Sequence, residues 1–166
     1  MKYFWRYSSP LGEIFMQSDG ANLTALKFGK FSDFGAEFRE QNLQIFRDTC
    51  AWLDIYFSGN LPNFTPKISL IGSDFQLEIW QILMQIPFGT TTTYGDIAHE
   101  ISLKRQIPKM SARAVGRAVG ANPIAIIIPC HRVIGSGGKL TGYAYGVDKK
   151  RFLLNLESLA FGVKTL

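Results

Sequence analysis

A thiol, an imidazole and a guanidinium follow one another at Cys130, His131 and Arg132, directly after the apolar run 124–128 and Pro129. Such a run is typical of a buried, extended segment, and proline fixes one backbone dihedral angle. An unperturbed thiol is only a few per cent thiolate at neutral pH, and a neighbouring imidazole or guanidinium raises that fraction. Cys130 is therefore a candidate nucleophile. The alternative is an inert, buried thiol.

Glu157 is the second residue with catalytic potential. It lies in a predicted helix that has Asp148 as its N-cap and a buried face of Phe152, Leu153 and Leu156. It is the only carboxylate of this helix beyond the cap. An acidic side chain among apolar neighbours favours a partner, such as the histidine beside the candidate nucleophile or an arginine. The alternative is a glutamate on the helix surface.

Other site chemistries find little support in the sequence. The chain has two Cys and two His, and their spacing builds no four-ligand metal site. It contains neither a phosphate-binding glycine loop nor an identifiable Ser-His-Asp triad. We therefore expect no metal and no cofactor. The second cysteine, Cys50, has no nearby histidine or basic partner and is interpreted as a small buried hydrophobe.

The sequence also limits the cellular compartments in which the protein is expected. It has no uncharged apolar stretch of about 18 residues, so no membrane span is expected. The N-terminus lacks the apolar region and the cleavage site of a signal peptide. Two cysteines are a poor disulfide framework for 166 residues, which favours free thiols in a reducing compartment. We expect a cytoplasmic protein.

Charge is distributed unevenly along the chain. Residues 1–100 contain 7 Lys or Arg and 11 Asp or Glu, a net charge of −4, whereas residues 101–166 contain 11 and 2, a net charge of +9. A basic half of this kind favours a polyanionic partner, above all nucleic acid. The alternative is ordinary variation between protein surfaces.

The first third of the sequence predicts strands followed by a helix. Strands are expected at residues 3–7, 13–18 and 23–28, separated by turn signals. Apolar residues at helical spacing predict a helix over about 43–57. Residues 61–72 contain two prolines and are interpreted as a linker. A domain boundary is expected there.

The second part predicts helices. Ser73 and Gln76 form a capping-box pattern before an amphipathic run that ends at residues 87–89. A short helix is expected at residues 95–101. Residues 102–110 are interpreted as a basic, proline-containing connection.

A small-residue, basic helix is predicted at residues 111–122, with Arg113 and Arg117 on one face. Two helices joined by a turn, the second of them basic, indicate a helix-turn-helix. Gly116 and Gly120 each weaken a helix by about 1 kcal/mol relative to alanine. Such residues permit close approach, either of DNA or of another helix, and the sequence leaves both explanations open.

The quoted segments together resemble a known family. "NPIAIIIPCHRVIGSGGKLTGYAYG" followed by "LLNLE" is similar to the methylated-DNA–protein-cysteine methyltransferases, and "ARAVGRAVGANP", "FQLEIWQIL", "IPFG" and "TYGDIA" strengthen the similarity. It covers residues 72–160 firmly and the N-terminal third loosely, through "SSPLG". The resemblance implies an α+β fold. A small N-terminal α/β, ribonuclease-H-like domain (1–70) would precede a mostly helical DNA-binding and alkyl-acceptor domain (71–166) with a helix-turn-helix.

The resemblance also implies a mechanism. The protein would rotate an alkylated guanine out of duplex DNA and into a pocket. Glu157 would orient His131, which would take the proton of Cys130 through a water. The thiolate would attack the alkyl carbon while Tyr143 stabilises the departing base. Asn122 would act as a hinge that orders the turn beside this site.

Further residue roles follow from the same resemblance. The residues expected to meet DNA are Tyr94, Ser111, Ala112, Arg113, Gly116 and Arg117. Arg113 would fill the space left by the rotated base, and Tyr94 would crowd its phosphate. The pocket would be lined by Val119, Val133, Tyr143, Ala144 and Tyr145.

No visible group cleaves a thioether, so one irreversible transfer per molecule is expected. The partner would be double-stranded DNA with alkylated guanine, O4-alkylthymine being a poorer substrate, and the protein a monomer. Two features depart from the family pattern. The connection between Tyr94 and Arg113 is longer than usual, and Tyr145 stands where many members have glycine. Its ring is expected to narrow the pocket against bulky alkyl groups.

Two other classes of function remain open. A non-catalytic lesion-binding protein of the same fold would lack the reactive cysteine, which is present here. A Cys-His hydrolase would need an oxyanion hole and a small-molecule cleft, and it would leave the basic helix unexplained. A hydrolase turns over repeatedly, whereas an alkyl acceptor reacts once.

Overall fold

The computed structural model describes residues 1–29 and 35–160, so the last six residues of the expected second domain lie outside it. The described chain divides into two compact units. One contains residues 1–70 with 123–125, and the other contains residues 71–122 and 126–166. The first unit thus ends at residue 70 along the chain and takes in the short segment 123–125 as well.

The first unit is a four-stranded sheet with one helix. Its strands are β1 (Lys2–Ser9), β2 (Gly12–Ser18), β3 (Leu23–Phe28) and β4 (Phe38–Glu40), in the spatial order β3-β2-β1-β4, and its helix is α1 (Gln44–Phe57). The first three strands pair antiparallel, because tight turns connect them, and β4 pairs parallel with β1. The three expected strands and the helix are confirmed. The sequence did not predict the short strand β4.

The core of the first unit follows from the strand alternation. Ile14 and Met16 on β2 are fully buried, as are Leu26 on β3 and Phe46 and Leu53 on α1. Successive side chains of a strand point to opposite faces, so β2 places one apolar row in the core and the other row on the opposite face.

The second unit is mostly helical. Its helices are α2 (Asp74–Met84), α3 (Tyr94–Arg105), α4 (Ala112–Gly120) and α5 (Val147–Ala160). A two-residue strand, β5 (Thr92–Thr93), pairs parallel with β6 (Val133–Ile134). Helices α3 and α4 pack against each other and are joined by residues 106–111, the arrangement predicted as a helix-turn-helix. The predicted α+β fold is confirmed.

Helix α3 is longer than predicted. It was expected to end at residue 101 but continues to Arg105, where Gln106 adopts a left-handed conformation with φ 54°. Lys104 pairs with Glu100 one turn earlier, and basic side chains in the last turn favour the negative end of the helix dipole. The first part of the expected connection is therefore helical.

The apolar run before Cys130 is buried as expected but is not extended. Ile126 has φ 69°, a left-handed conformation that is costly for a β-branched residue. Only Ile124 forms a bridge, with Leu26 of β3. The prediction of an extended segment was wrong because the run satisfies its backbone through turns.

The buried face of α5 also differs from the prediction. Phe152 is 38% exposed, whereas Lys150, Leu153, Leu154 and Glu157 are buried. These positions recur at helical spacing, so the true face is rotated by one residue from the predicted one.

The start of α5 shows a second, smaller difference. The helix begins at Val147, which places Asp148 inside its first turn and not at the N-cap position.

Two features are absent from the described part of the chain. No helix there is long and apolar enough to cross a membrane. Residues 1–29 and 35–160 contain no group of three or more His, Cys, Asp and Glu side chains arranged to hold a metal ion.

The capping box of α2 makes a testable contribution to stability. The Ser73 hydroxyl accepts from the backbone N–H of Gln76, whose side chain accepts from the backbone of Ser73. We expect Ser73→Ala to lower the free energy of unfolding by about 1 kcal/mol, measured by urea titration. Ser136→Ala is the matched control, because Ser136 is exposed and no side-chain hydrogen bond is found for it within the described residues. Equal stability of the two variants would contradict the assignment.

Candidate active site

Cys130 begins a single 3₁₀ turn, Cys130–Arg132, that follows Pro129 and leads into β6. The turn is closed by a hydrogen bond from the Arg132 backbone N–H to the Pro129 carbonyl, 3.0 Å long. Proline restricts the backbone here, so the turn fixes the direction of the cysteine side chain. Cys130 is 7% exposed and lies on the wall of a cavity of about 440 Å³.

The cavity brings together most of the residues that the sequence predicted for the site. The predicted residues that line it are Tyr94, Ala112, Gly116, Val119, Asn122, Cys130, Tyr143, Ala144 and Tyr145. Gly120, Thr141 and Gly142 also line it and were not predicted. Val133, which was expected to line the pocket, does not do so; its side chain is buried elsewhere. A largely apolar concavity of this size is typical of a small-molecule or base-binding site.

The glycines of α4 are explained by this cavity. A Cβ atom on Gly116 would lie 3.8 Å from the Tyr94 ring, which is an ordinary contact, and one on Gly120 would meet nothing within 4 Å. Neither glycine is therefore required for packing against another helix. Both line the cavity, so the observation favours close approach of a ligand.

Glu157 lies at the centre of a buried network behind the cysteine. Its Oε2 atom is 2.6 Å from His131 Nε2, and Arg132 donates to both oxygens from Nε at 2.7 Å and Nη2 at 3.2 Å. The backbone N–H of Gly89 adds a fourth contact at 3.1 Å. Both expected partners, the histidine and an arginine, are present. The alternative of a surface glutamate is excluded, because Glu157 is fully buried.

The protonation of this network follows from its contacts. Burial alone would raise the pKa of Glu157, but the hydrogen bonds and charges of His131 and Arg132 hold it well below its usual range. An ionised carboxylate only accepts hydrogen bonds, so Nε2 of His131 carries the proton and Nδ1 has the basic lone pair. Burial lowers the pKa of His131, and Glu157 opposes that effect. His131 is therefore neutral near pH 7 and suited to accept a proton.

Arg132 does not activate the cysteine as expected. Its guanidinium is engaged by Glu157 and donates from Nη1 to the Ile86 carbonyl at 2.7 Å, with Phe88 stacked 5.6 Å away. Burial raises the pKa of the Cys130 thiol, so the resting thiol is protonated.

Four groups oppose the effect of burial on Cys130. The Asn122 side chain hydrogen-bonds the sulfur, the charge of Lys150 lies nearby, and the backbone N–H groups of Cys130 and His131 also favour the thiolate. Asn122 is itself fixed by donating to the Ile128 carbonyl at 2.7 Å. These groups lower the cost of forming the thiolate without making it the resting form.

Lys150 was missed by the sequence analysis. It is fully buried, and its Nζ donates to the carbonyls of Val133, Thr141 and Gly142 at 2.5, 3.1 and 3.2 Å. Burial lowers its pKa to about 8. The lysine therefore ties α5 to the segment that forms one wall of the cavity. The sequence did contain a signal that Lys150 is buried: it lies one helical turn before Leu153 and Leu154, on the same face as Glu157.

Two tyrosines form an adjoining wall. Tyr143 and Tyr145 meet edge to face, with ring centroids 5.4 Å apart. Burial raises the pKa of both hydroxyls, and that of Tyr145 reaches about 12. Within the described residues, the buried Tyr143 hydroxyl has no hydrogen-bond partner. It is a neutral donor available to a bound molecule.

Helix α4 presents the predicted DNA-binding residues at its surface. The Ser111 hydroxyl caps the helix by accepting from the backbone N–H of Ala114 at 3.2 Å. Arg113 and Arg117 are exposed, and no ion pair is found for either within the described ranges. Tyr94 begins α3, and its hydroxyl donates to the Thr141 carbonyl at 3.4 Å.

The buried ion pair leads to a prediction for stability. Arg132→Met leaves Glu157 with only part of its compensation, so we expect the free energy of unfolding to fall by about 3 kcal/mol or more, measured by urea titration. Arg151→Met is the matched control. Arg151 pairs with Asp148 at 3.3 Å on the surface, and we expect no measurable change there. Similar stabilities for the two variants would contradict the importance of the network.

Comparison with known proteins places this site in a family. The chain matches "6-O-methylguanine DNA methyltransferase, DNA binding domain" over residues 74–159 and the "ribonuclease-like domain" of the same name over residues 2–70. The methylated-DNA–protein-cysteine methyltransferase of Methanosarcina acetivorans is 45% identical over 157 residues, covering 93% of this chain and 97% of that protein. That of Mycobacterium tuberculosis is 40% identical over 158 residues, covering 95% and 93%.

Solved structures agree with these matches. The crystal structure of Mycobacterium tuberculosis OGT in complex with DNA has a TM-score of 0.82 at 40% identity, covering 95% of this chain and 94% of that chain. The M. tuberculosis O6-methylguanine methyltransferase crystal structure gives the same TM-score, 0.82. The buried Cys-His-Arg turn, the cavity and these comparisons lead to one conclusion: the chain belongs to the 6-O-methylguanine DNA methyltransferase family.

Proposed function

We propose that Cys130 accepts an alkyl group from O6-alkylguanine in duplex DNA. As a member of its family, the chain repairs DNA by transferring an alkyl group to a cysteine, and it has two cysteines. Cys130 lies on the cavity wall beside the buried His131–Glu157 pair, and this observation carries the proposal. Cys50 lies in α1, where burial and the charge of Asp54 raise its pKa to about 11.

The contacts support a defined order of events. His131 takes the proton of the Cys130 thiol through a water at Nδ1, while Glu157 stabilises the resulting imidazolium. The sulfur attacks the alkyl carbon, a C–S bond forms and the carbon–O6 bond breaks. The electron pair of that bond moves onto guanine, whose ring then takes up the proton. Tyr143 donates a hydrogen bond that stabilises the departing base, in keeping with its buried, neutral hydroxyl.

The remaining roles are assigned from position. Arg113 on the exposed face of α4 fills the space that the rotated base leaves, and Arg117 binds the backbone of DNA. Tyr94 crowds the phosphate of the rotated nucleotide from the cavity edge. Asn122 orders the turn before Cys130 through its bond to Ile128. All residues that line the cavity lie between positions 94 and 145, so we assign DNA binding and alkyl acceptance to residues 71–166.

A purine ring has more apolar surface to bury in this cavity than a pyrimidine ring, which favours guanine over O4-alkylthymine. We therefore propose guanine as the main substrate base. The two free cysteines fit a reducing compartment, so we place the protein in the cytoplasm. We propose a monomer, since a single copy of the chain supplies every catalytic group named above.

The acceptor is tested by the intact mass of the protein after mixing with excess duplex DNA that contains O6-methylguanine. We expect one methyl group per chain and none on Cys130→Ser, because the other thiol, Cys50, lies in α1 and not at the cavity. Tight lesion binding without a mass gain would support the non-catalytic alternative. Release of product through repeated turnover would support a hydrolase, and either result would overturn the proposal.

Tyr145 predicts a preference for small alkyl groups. Its ring stands against Tyr143 and narrows the cavity. We expect Tyr145→Ala to raise the rate on O6-benzylguanine relative to O6-methylguanine by about tenfold or more, because a misfit of one or more methylene groups costs at least that factor. Single-turnover rates of both substrates measure the ratio. Tyr3→Ala, in the first unit, is the control and should leave it unchanged. A benzyl-to-methyl ratio that stays constant in Tyr145→Ala would refute the prediction.

A further inference from the structure

The long connection between α3 and α4, with the last turn of α3, carries three basic residues, and the structure separates them into two kinds. Lys104 pairs with Glu100 at 3.1 Å. Arg105 pairs with Glu78 at 2.5 Å and stacks on Phe75, with 5.4 Å between its guanidinium and the ring centroid. These two cations are already engaged by the protein. They serve the packing of α3 and are poor candidates for binding DNA.

Lys109 is different. It is exposed, and in the described part of the chain no carboxylate pairs with it and no hydrogen bond to its side chain is found. It lies on the wall of a second cavity of about 270 Å³, which His99 of α3 also lines. Ser102 of α3 and Met110 of the connection add polar and apolar parts to this wall.

The charge of this second cavity suits an anion. None of the residues that line it carries a carboxylate, whereas it has a lysine ammonium and an imidazole. A neighbouring cavity of about 320 Å³ on the same unit is lined by Asp96 and Glu100 and would repel a phosphate. The contrast shows that a lining without carboxylates distinguishes the cavity of Lys109 from this neighbouring cavity.

The second cavity adjoins the cavity that contains Cys130, because the two share a lining residue. Ala112, at the start of α4, lines both this cavity and the one that contains Cys130. A strand that delivers one nucleotide to the cysteine therefore passes close to Lys109. Phosphates follow at every nucleotide of a strand, so a flanking phosphate lies within reach of a flexible lysine.

We propose that Lys109 and His99 form an additional binding site for a phosphate of the DNA strand, outside the cavity that receives the base. The long connection builds this site by carrying Lys109 past the end of α3 and back toward α4. The contact is sequence-independent, since a phosphate carries no base identity. The inference rests on the proposed function, because the strand is the one that presents its base to Cys130.

The test is the salt dependence of binding to a duplex with O6-methylguanine, measured in a Cys130→Ser background so that no transfer occurs. The slope of log K against log salt becomes shallower by about 0.9 for each phosphate that the protein no longer neutralises. We expect Lys109→Ala to flatten the slope by that amount and to weaken binding about threefold near physiological salt. Lys109→Arg keeps the charge and should restore both.

Lys104→Ala is the matched control, because that lysine is paired with Glu100, and it should leave the slope unchanged. The inference is overturned if Lys109→Ala keeps the parent slope, or if Lys104→Ala changes it equally. Methyl transfer by the parent protein is measured separately. If the parent protein transfers methyl but Lys109→Ala leaves the salt slope unchanged, only the phosphate site is refuted. If Lys109→Ala flattens the slope but the parent protein transfers no methyl, only the proposed function is refuted.

Discussion

The buried carboxylate of Glu157 is the constraint on which the rest of the site depends. An unpaired charge in a protein interior costs several kcal/mol, so the chain must supply donors from several directions. They come from the His131 ring, the Arg132 guanidinium and the Gly89 backbone, which belong to two different segments that meet α5. Satisfying one carboxylate therefore positions the turn that holds Cys130.

That arrangement gives different tasks to Arg132 and His131, which are neighbours in the sequence. Arg132 neutralises Glu157 and is thereby kept from the thiol, whereas His131 keeps a basic ring nitrogen. The thiol remains protonated in the cavity wall, because burial raises its pKa. Asn122 and Lys150 lower the cost of forming the thiolate. In the proposed mechanism, reactivity therefore depends on a network that is already assembled and on a proton that is removed late.

Local signals in the sequence predicted much of this molecule. The strand β2, the helix α1 and the capping box at Ser73 depend on a few neighbouring residues, and all are confirmed. Features set by distant partners were missed. Lys150 is an ordinary surface residue by composition, and it is buried only because carbonyls of a remote loop accept its hydrogen bonds. The left-handed Ile126 contradicts its own backbone preference and is held by tertiary packing.

The state of the Cys130 thiol tests this account most directly. Thiolate absorbance can be titrated against pH in a Cys50→Ser protein, in which Cys130 is the one remaining thiol. The account predicts a pKa above the 9.0 of an unperturbed cysteine, because burial outweighs Asn122 and Lys150. A cysteine that is already a thiolate at neutral pH would contradict it. Removal of the proton by His131 and Glu157 would then be unnecessary, and the buried network would need another explanation.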